Sequence, residues 1–319
     1  MQIPNDVLAF QDQFQTDDDC LRYLAELRWL KGFNCPKCEH DVGYMLKTRA
    51  EIQCAVCRHQ TSVTAGTLFH GTKVPLRKWF WMIFLVAQDK KGASSSRLAR
   101  QLGMYQKTVW YMLQKLRHAM GCRDEAIMLS GFIELDQALI GPHARKTGRR
   151  KNQDGKKPRQ RLRGRKPKDG RKRKTQTEVV VVVEQDPGAA GMLAMNVVSR
   201  TTRDSIREVV ERRVEPNQHI KTDGYQANYV LKSMGHVHQA VVCDGVQACK
   251  ELPIVHQVIG LLKNNLLGIY HGVSSRYLPR YLSEFAFRFN RRFSKIPVWV
   301  SLAKAALFAG PLSYADAKL

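Results

Sequence analysis

The chain has 319 residues, of which 44% are hydrophobic, and its 52 Lys and Arg against 28 Asp and Glu give a formal net charge of +24. This length and composition predict a globular protein of two or three domains, and the charge makes nucleic-acid phosphates the first partner to consider. The most apolar helix candidate, residues 79–87, is much shorter than the roughly 20 residues of a membrane span, so a membrane partner is excluded.

We expect a reducing, cytoplasmic location. The first 19 residues are polar and acidic and do not resemble a signal peptide. Four cysteines outside the motif described next also show no paired spacing. They are Cys20, Cys122, Cys243 and Cys249.

Residues 1–75 are predicted to form a helix and a zinc ribbon. Leucines at helical spacing in residues 17–31, behind three aspartates, predict the helix. Two C-x2-C pairs follow, which contain Cys35, Cys38, Cys54 and Cys57. Four thiolates at this spacing can surround one Zn²⁺ tetrahedrally, so we predict a structural zinc site with no open coordination position. A redox dithiol pair or two disulfides are the competing interpretations.

Residues 76–125 are predicted to form an apolar helix, at residues 76–89, and then a helix-turn-helix motif. Ala99, Gly103 and Val109 have the spacing of a small contact residue, a turn glycine and an apolar residue on the second helix. That helix is expected to turn polar side chains toward a DNA major groove. They are Gln106, Lys107, Tyr111, Gln114 and Lys115. An ordinary helical hairpin shares this spacing and is the competing interpretation.

Residues 126–310 are predicted to form a ribonuclease-H-like domain, a mixed sheet with flanking helices. The predicted strands are residues 131–136, 178–184, 192–198, 219–222 and 237–242, and the predicted helices are residues 203–214, 255–264 and 276–290. Three antiparallel strands followed by alternating helices and strands are the element order of that fold. The whole chain is therefore expected to be a multidomain α/β protein.

A basic insertion, residues 145–174, separates the first two predicted strands. It contains 17 Lys and Arg and two acidic residues, with almost no apolar side chains. Such a segment cannot bury a core, and we interpret it as a loop that contacts the DNA backbone. The predicted contacts include Arg161, Arg163, Arg165 and Lys166. A solvated linker without a ligand is the competing interpretation.

Two aspartates are candidate ligands for catalytic metal ions. Asp136 lies on the first predicted strand and Asp223 at the end of the fourth. Phosphoryl transfer by two divalent ions requires carboxylates that converge at a sheet edge. The competing interpretation is that each aspartate only caps a turn. Glu134 is expected on the same face as Asp136, as an additional ligand or a supporting residue.

Taken together, these motifs resemble the insertion-sequence transposases of the IS fifteen-ninety-five type. The resemblance rests on CPKC…CAVC, LD-x-x-x-IG, KTDGYQAN and GIYHGVSSRYLPRYLSEFAFRFNRR, and covers about residues 21–292. It implies a transposase with a DDE-like domain that binds the terminal inverted repeats of its own element, cleaves the strand ends and joins them to target DNA. It also implies a homodimer or higher oligomer on double-stranded DNA, associated with the bacterial nucleoid.

The resemblance further implies a third catalytic position, where His256 replaces the family's glutamate. Lys263 matches the lysine of the same motif. The implied site is Asp136, Asp223 and His256 around Mg²⁺ or Mn²⁺, since a neutral imidazole can ligate a divalent ion. On a helix, His256, Gly260 and Lys263 share the side opposite an apolar stripe, where Lys263 can contact DNA.

The departure at His256 leaves other interpretations open. An inactive copy is one, and Glu284 is a lesser candidate for the missing carboxylate. Arg291 and Arg292 beside it are predicted to face DNA. A non-catalytic DNA-binding regulator or domesticated transposase would not need both aspartates. A structure-specific nuclease on the same fold would cleave without strand transfer.

Overall fold

The computed structural model describes residues 3–30, 32–46, 51–141, 176–186, 189–242 and 251–318. The basic insertion, with Arg161, Arg163, Arg165 and Lys166, lies outside these residues. The chain divides into two compact units. The first contains Met1–Leu129, Gly191–Ala194 and Pro279–Leu319, and the second contains Ser130–Ala190 and Met195–Leu278. Within the described ranges, no helix combines the length and the apolarity that crossing a membrane requires.

The first unit begins with two helices and a small antiparallel sheet. Its elements are α1 (Val7–Gln13), α2 (Asp17–Arg28), β1 (Gly43–Leu46), β2 (Glu51–Cys54), β3 (Gln60–Ser62), α3 (Leu76–Gln88), α4 (Ser95–Leu102) and α5 (Gln106–Asp124). Helix α2 starts with a capping box, in which Thr16 and Asp19 each accept the other's backbone N–H. This confirms the start of the helix predicted at residues 17–31.

The second unit is built on a five-stranded mixed sheet. Its elements are β4 (Phe132–Ile140), β5 (Thr177–Asp186), β6 (Ala189–Val198), α6 (Arg203–Arg213), β7 (His219–Asp223), a 3₁₀ turn (Gln226–Tyr229), α7 (Val230–Ser233), β8 (Val237–Val241) and α8 (Pro253–Tyr270). The strand order is β6-β5-β4-β7-β8, with β4 antiparallel to β5 and parallel to β7. This confirms the ribonuclease-H-like sheet, with the first predicted strand at its centre.

The chain ends in helices α9 (Leu278–Asn290), α10 (Val298–Phe308) and α11 (Tyr314–Ala317). Trp299 of α10 packs among Phe10, Phe14 and Tyr23, and its indole N–H donates to the carbonyl of Pro4 at 2.9 Å. Residues 279–319 therefore share the core of the N-terminal helices. The catalytic domain was predicted to extend to residue 310. The apolar sequence of α10 predicts a buried helix but does not indicate which of the two cores that helix joins.

Candidate active site and metal centre

Each C-x2-C pair of the ribbon forms a tight turn with the same backbone pattern. The carbonyl of Cys35 accepts the N–H of Glu39 at 2.9 Å, and the carbonyl of Cys54 accepts the N–H of Arg58 at 3.2 Å. Glu39 and Arg58 both adopt the left-handed backbone, with φ of 59° and 57°. The two turns are thus repeats of one backbone motif.

The four cysteine sulfurs of the ribbon form one cluster. They lie within 4.8 Å of one another, with Cys35 Sγ 3.5 Å from Cys57 Sγ and Cys38 Sγ 3.6 Å from Cys54 Sγ. Zinc–sulfur bonds of about 2.3 Å in a tetrahedron place the sulfurs about 3.8 Å apart, so the cluster fits a zinc ion. All four cysteines are free, which contradicts the disulfide interpretation.

The cysteines of the cluster differ in acidity, since hydrogen bonds with the other three cysteines raise the pKa of Cys38 to about 12 while the pKa of Cys54 is lowered. Burial raises the pKa of Cys54, but hydrogen bonds from the backbone N–H groups of Cys57 and Val56 outweigh it and lower that pKa to about 6. A thiolate that forms readily near neutral pH is the species that binds zinc.

Helices α4 and α5 form the predicted helical pair. Ala99 and Val109 are buried, and Gly103 ends α4 in the left-handed conformation at φ 58°. Lys78 of α3 donates to the carbonyl of Leu102 at 3.0 Å, so the C-terminal end of α4 is fixed against α3. The arrangement matches the spacing argument, while its role in DNA recognition stays a prediction.

The predicted recognition face of α5 is wrong in its second half. Gln114 is 0% and Lys115 7% exposed, and the Lys115 ammonium donates to the carbonyl of Leu68 at 3.2 Å. Tyr111 is half-buried and its hydroxyl donates to the carbonyl of Leu312 at 2.8 Å. The physical reason is that α5 continues into the core, where α10 packs along it. Gln106 and Lys107 in the first turn are exposed, as predicted.

The strand register brings the two candidate aspartates side by side. The last residue pair between the parallel strands β4 and β7 is Leu135 with Thr222. Asp136 and Asp223 each follow directly, so they occupy equivalent positions on adjacent strands. Parallel strands lie about 4.8 Å apart, which brings both carboxylates to one edge of the sheet. Burial raises the pKa of Asp136, and the negative charge of the neighbouring Asp223 raises it further.

Helix α8 brings His256 to the same place. His256 Nδ1 lies 3.7 Å from Asp136 Oδ2, and the side chains are 30% and 13% exposed. Within α8, Val255, Val258, Ile259 and Leu262 are buried, as predicted. Lys263 is exposed two turns later, and a Cβ added at Gly260 between them would meet nothing within 4 Å.

Glu134 anchors the helix that carries His256. Its Oε2 accepts the N–H of Val255 at 2.8 Å, and the side chain is buried. Helix α8 has no side-chain cap of its own. Burial raises the pKa of Glu134, while the N–H groups of Val255 and Ile254 lower it. Glu134 was predicted to be either an additional metal ligand or a supporting residue, and this hydrogen bond favours the supporting role.

Two further residues connect the aspartates and were not predicted. The backbone N–H of Gln137 donates to Asp136 Oδ1 at 2.7 Å, and its side-chain amide donates to Asn228 Oδ1 at 3.0 Å. Asn228 in turn donates to Asp223 Oδ1 at 2.7 Å and is fully buried. The only sequence signal was their place inside the LDQALIG and KTDGYQAN motifs.

Glu284 is not available as a metal ligand. It is fully buried, and its two oxygens accept Arg117 Nε at 2.7 Å and Arg288 Nη1 at 2.8 Å. The suggestion that it supplies the missing carboxylate is therefore wrong, because two guanidinium groups already occupy it.

The predicted DNA contact of Arg291 is also contradicted. Its guanidinium forms a bidentate ion pair with Asp124, at 2.9 and 2.6 Å, and covers the ring of Phe287. Because Asp124 and Phe287 hold the Arg291 side chain inside the first unit, its role is structural. Arg292 is exposed and rests on Phe289, so its DNA contact stays a prediction.

Comparison with known families decides the identity. The family profile of the ISXO2-like transposase domain matches residues 128–290, just over half of the chain. The chain belongs to this transposase family. The profile of the transposase zinc-ribbon domain matches residues 15–60, which contain α2 and the cysteine cluster of this transposase. Both matches confirm the resemblance found in the sequence.

Two relatives give further comparisons. The transposase is 24% identical over 217 residues to an uncharacterized protein in transposable element ISH50 of Halobacterium salinarum, covering 67% of this chain and 69% of that protein. A solved structure, titled as a pre-cleavage Mos1 transpososome, is 12% identical with a TM-score of 0.27, covering 72% of this chain and 78% of that chain. A similarity this low bears on neither fold nor mechanism.

Proposed function

We propose that this transposase binds the terminal inverted repeats of its own insertion element and catalyses divalent-metal-dependent cleavage and joining of DNA strands. The observation that carries the proposal is the equivalent placement of Asp136 and Asp223 on adjacent parallel strands, with His256 3.7 Å from Asp136. A DNA-binding regulator has no use for two carboxylates side by side at one sheet edge, where their like charges repel.

The donor set fits Mg²⁺ or Mn²⁺. Two carboxylates and an imidazole are ligands that both ions accept, with Mn²⁺ more tolerant of nitrogen. Burial raises the pKa of Asp136, so a cation at this edge would stabilise its charged form. When bound, such ions activate the attacking oxygen and stabilise the leaving oxygen of phosphoryl transfer.

The chain's own residues would bind and orient the DNA around this edge. Asp136, Asp223 and His256 would hold the ions, and the exposed Lys263 would contact a phosphate. Gly260 lies between His256 and Lys263 without a side chain, which leaves the helix surface open to a DNA backbone. In the first unit, the exposed Gln106 and Lys107 are the proposed recognition contacts, and the basic insertion would add sequence-independent affinity.

Several finer statements belong to the same proposal. The zinc ribbon would hold structural Zn²⁺ and support DNA binding, and the active form would be a homodimer or higher oligomer on double-stranded DNA. Such an enzyme would act in the cytoplasm, at the nucleoid. Deleting residues 145–174 is expected to weaken binding to all DNA sequences alike and to flatten the salt dependence of affinity.

The test is strand cleavage and joining on a labelled duplex that carries a terminal repeat. Asp136→Ala and Asp223→Ala are expected to abolish cleavage in Mg²⁺ while repeat binding stays intact. His256→Ala should lose most activity, and His256→Glu should retain part of it, because a carboxylate can occupy the same coordination position. Asp204→Ala, which removes an exposed carboxylate of α6 in the same unit, is the matched control.

The outcomes separate the competing functions. Repeat binding without cleavage in either Mg²⁺ or Mn²⁺ would favour the non-catalytic regulator. Cleavage without joining would favour a nuclease. Full activity of His256→Ala would remove His256 from the site.

A further inference from the structure

We propose that Gln137 and Asn228 are positioning residues that hold one oxygen of each catalytic carboxylate and leave the other oxygen for the divalent cation. The inference rests on the proposed function, because it assumes a metal at Asp136 and Asp223.

The hydrogen bonds form one continuous chain between the two carboxylates. Gln137 reaches Asp136 Oδ1 through its backbone N–H and reaches Asn228 through its side chain. Asn228 then reaches Asp223 Oδ1. Gln137 therefore contacts one aspartate directly and the other through a single buried amide.

Chemistry fixes the direction of every bond in this chain. An ionised carboxylate only accepts hydrogen bonds, so Asn228 must present its amide nitrogen to Asp223. Its oxygen then faces Gln137, which must present its own amide nitrogen. A change of polarity at Gln137 is consequently transmitted to the carboxylate of Asp223.

The bonds all fall on the Oδ1 atoms. Asp223 Oδ1 also accepts the N–H of Tyr225 at 3.3 Å, whereas Asp136 Oδ2 is the atom that faces His256. Among the described residues, the Oδ2 atom of Asp223 has no hydrogen-bond partner. Each carboxylate is thus held through its Oδ1 atom and keeps its Oδ2 atom outside this chain of hydrogen bonds, although their like charges would otherwise rotate the two groups apart.

Gln137→Glu is the most informative variant, because it keeps the shape of the side chain and reverses its polarity. A glutamate accepts from Asn228, so the amide of Asn228 must turn and point its oxygen at Asp223. We expect the affinity for Mn²⁺ to fall by about 10–100-fold, as for other residues that orient metal ligands. The added negative charge alone would have the opposite effect, since it attracts a cation.

Mn²⁺ affinity is measured on the full-length protein by electron paramagnetic resonance titration, without DNA and without turnover. Melting temperature and terminal-repeat binding are recorded for the same samples. Gln226→Glu is the matched control, because Gln226 is an exposed amide in the same 3₁₀ turn as Asn228. Asp136→Ala defines the signal that remains when a ligand is lost.

The expected result is weakened Mn²⁺ binding in Gln137→Glu and in Asn228→Ala, with binding in Gln226→Glu unchanged or slightly tighter, and repeat binding retained in all three. If Asn228→Ala does not fold, Gln137→Glu still tests the proposal, because Gln137 is only half-buried. Unchanged or tighter Mn²⁺ binding in folded Gln137→Glu would overturn the positioning role alone, provided that Asp136→Ala loses the ion. A wild-type protein that binds no Mn²⁺ would overturn the proposed metal site and this inference with it.

Discussion

Replacing Glu284 tests whether this carboxylate serves stability or chemistry. In Glu284→Gln the volume is kept and only the charge is lost. Arg117 and Glu284 are each 1% exposed, and Arg288 is close to fully buried beside them. The variant would leave Arg117 and Arg288 in the core without the negative charge that both guanidinium groups contact. We therefore expect it to be folded but strongly destabilised.

The magnitude follows from the burial. Removing one partner of a buried ion pair costs about 3–5 kcal/mol, because the remaining charge cannot be solvated. For a unit of this size, 1 kcal/mol corresponds to about 2–4 °C in melting temperature, so the shift should be roughly 6–20 °C. Glu26→Gln is the control, because Glu26 is an exposed carboxylate on α2 of the same unit and its loss should change stability by less than about 1 kcal/mol.

The assay is urea unfolding followed by tryptophan fluorescence, since Trp79 and Trp299 lie in the core of the same unit. Strand cleavage is measured in parallel, below the melting temperature of the variant, and it should be retained. A Glu284→Gln protein of unchanged stability that no longer cleaves DNA would refute the reasoning and return Glu284 to the list of metal ligands.

Three other variants check separate parts of the structure. Cys54→Ser should lose zinc and the fold of the ribbon, as measured by metal analysis and proteolysis, because four thiolates complete the site. Lys107→Ala should weaken repeat binding and reduce the salt slope by about 1, whereas Lys115→Ala should lower only stability, since Lys115 is bonded inside the core. Gln114→Met should raise stability by about 1–3 kcal/mol in urea unfolding and leave repeat binding unchanged, because both amide atoms of Gln114 are buried without a partner among the described residues.

Local spacing was enough to predict several parts of this transposase. The two C-x2-C pairs predict the ribbon because each pair closes its own turn, and the ligands need only short-range geometry. Local sequence patterns also predict helices α2 and α3, the end of α4 at Gly103, and strand β5 with its β-branched residues. The order of these elements then predicts the mixed sheet, and the sheet predicts that Asp136 and Asp223 meet.

Tertiary structure decided which polar residues face inward. Gln114 and Lys115 have the spacing of a recognition face, yet α10 covers that part of α5. Arg117 and Arg291 pair with carboxylates 167 positions away in the chain. No local pattern records such a partner, because burial depends on which distant helix packs over a side chain.

The same distinction applies within the active site. The sequence by itself determined the two aspartates as candidates, because carboxylates at a sheet edge are what metal-assisted phosphoryl transfer requires, and the family resemblance added His256. Only the folded sheet decided that Glu134 caps the helix of His256 and that Gln137 and Asn228 connect the aspartates. Their roles depend on which donors remain free once β4 pairs with β7, and that is a property of three-dimensional packing rather than of spacing along the chain.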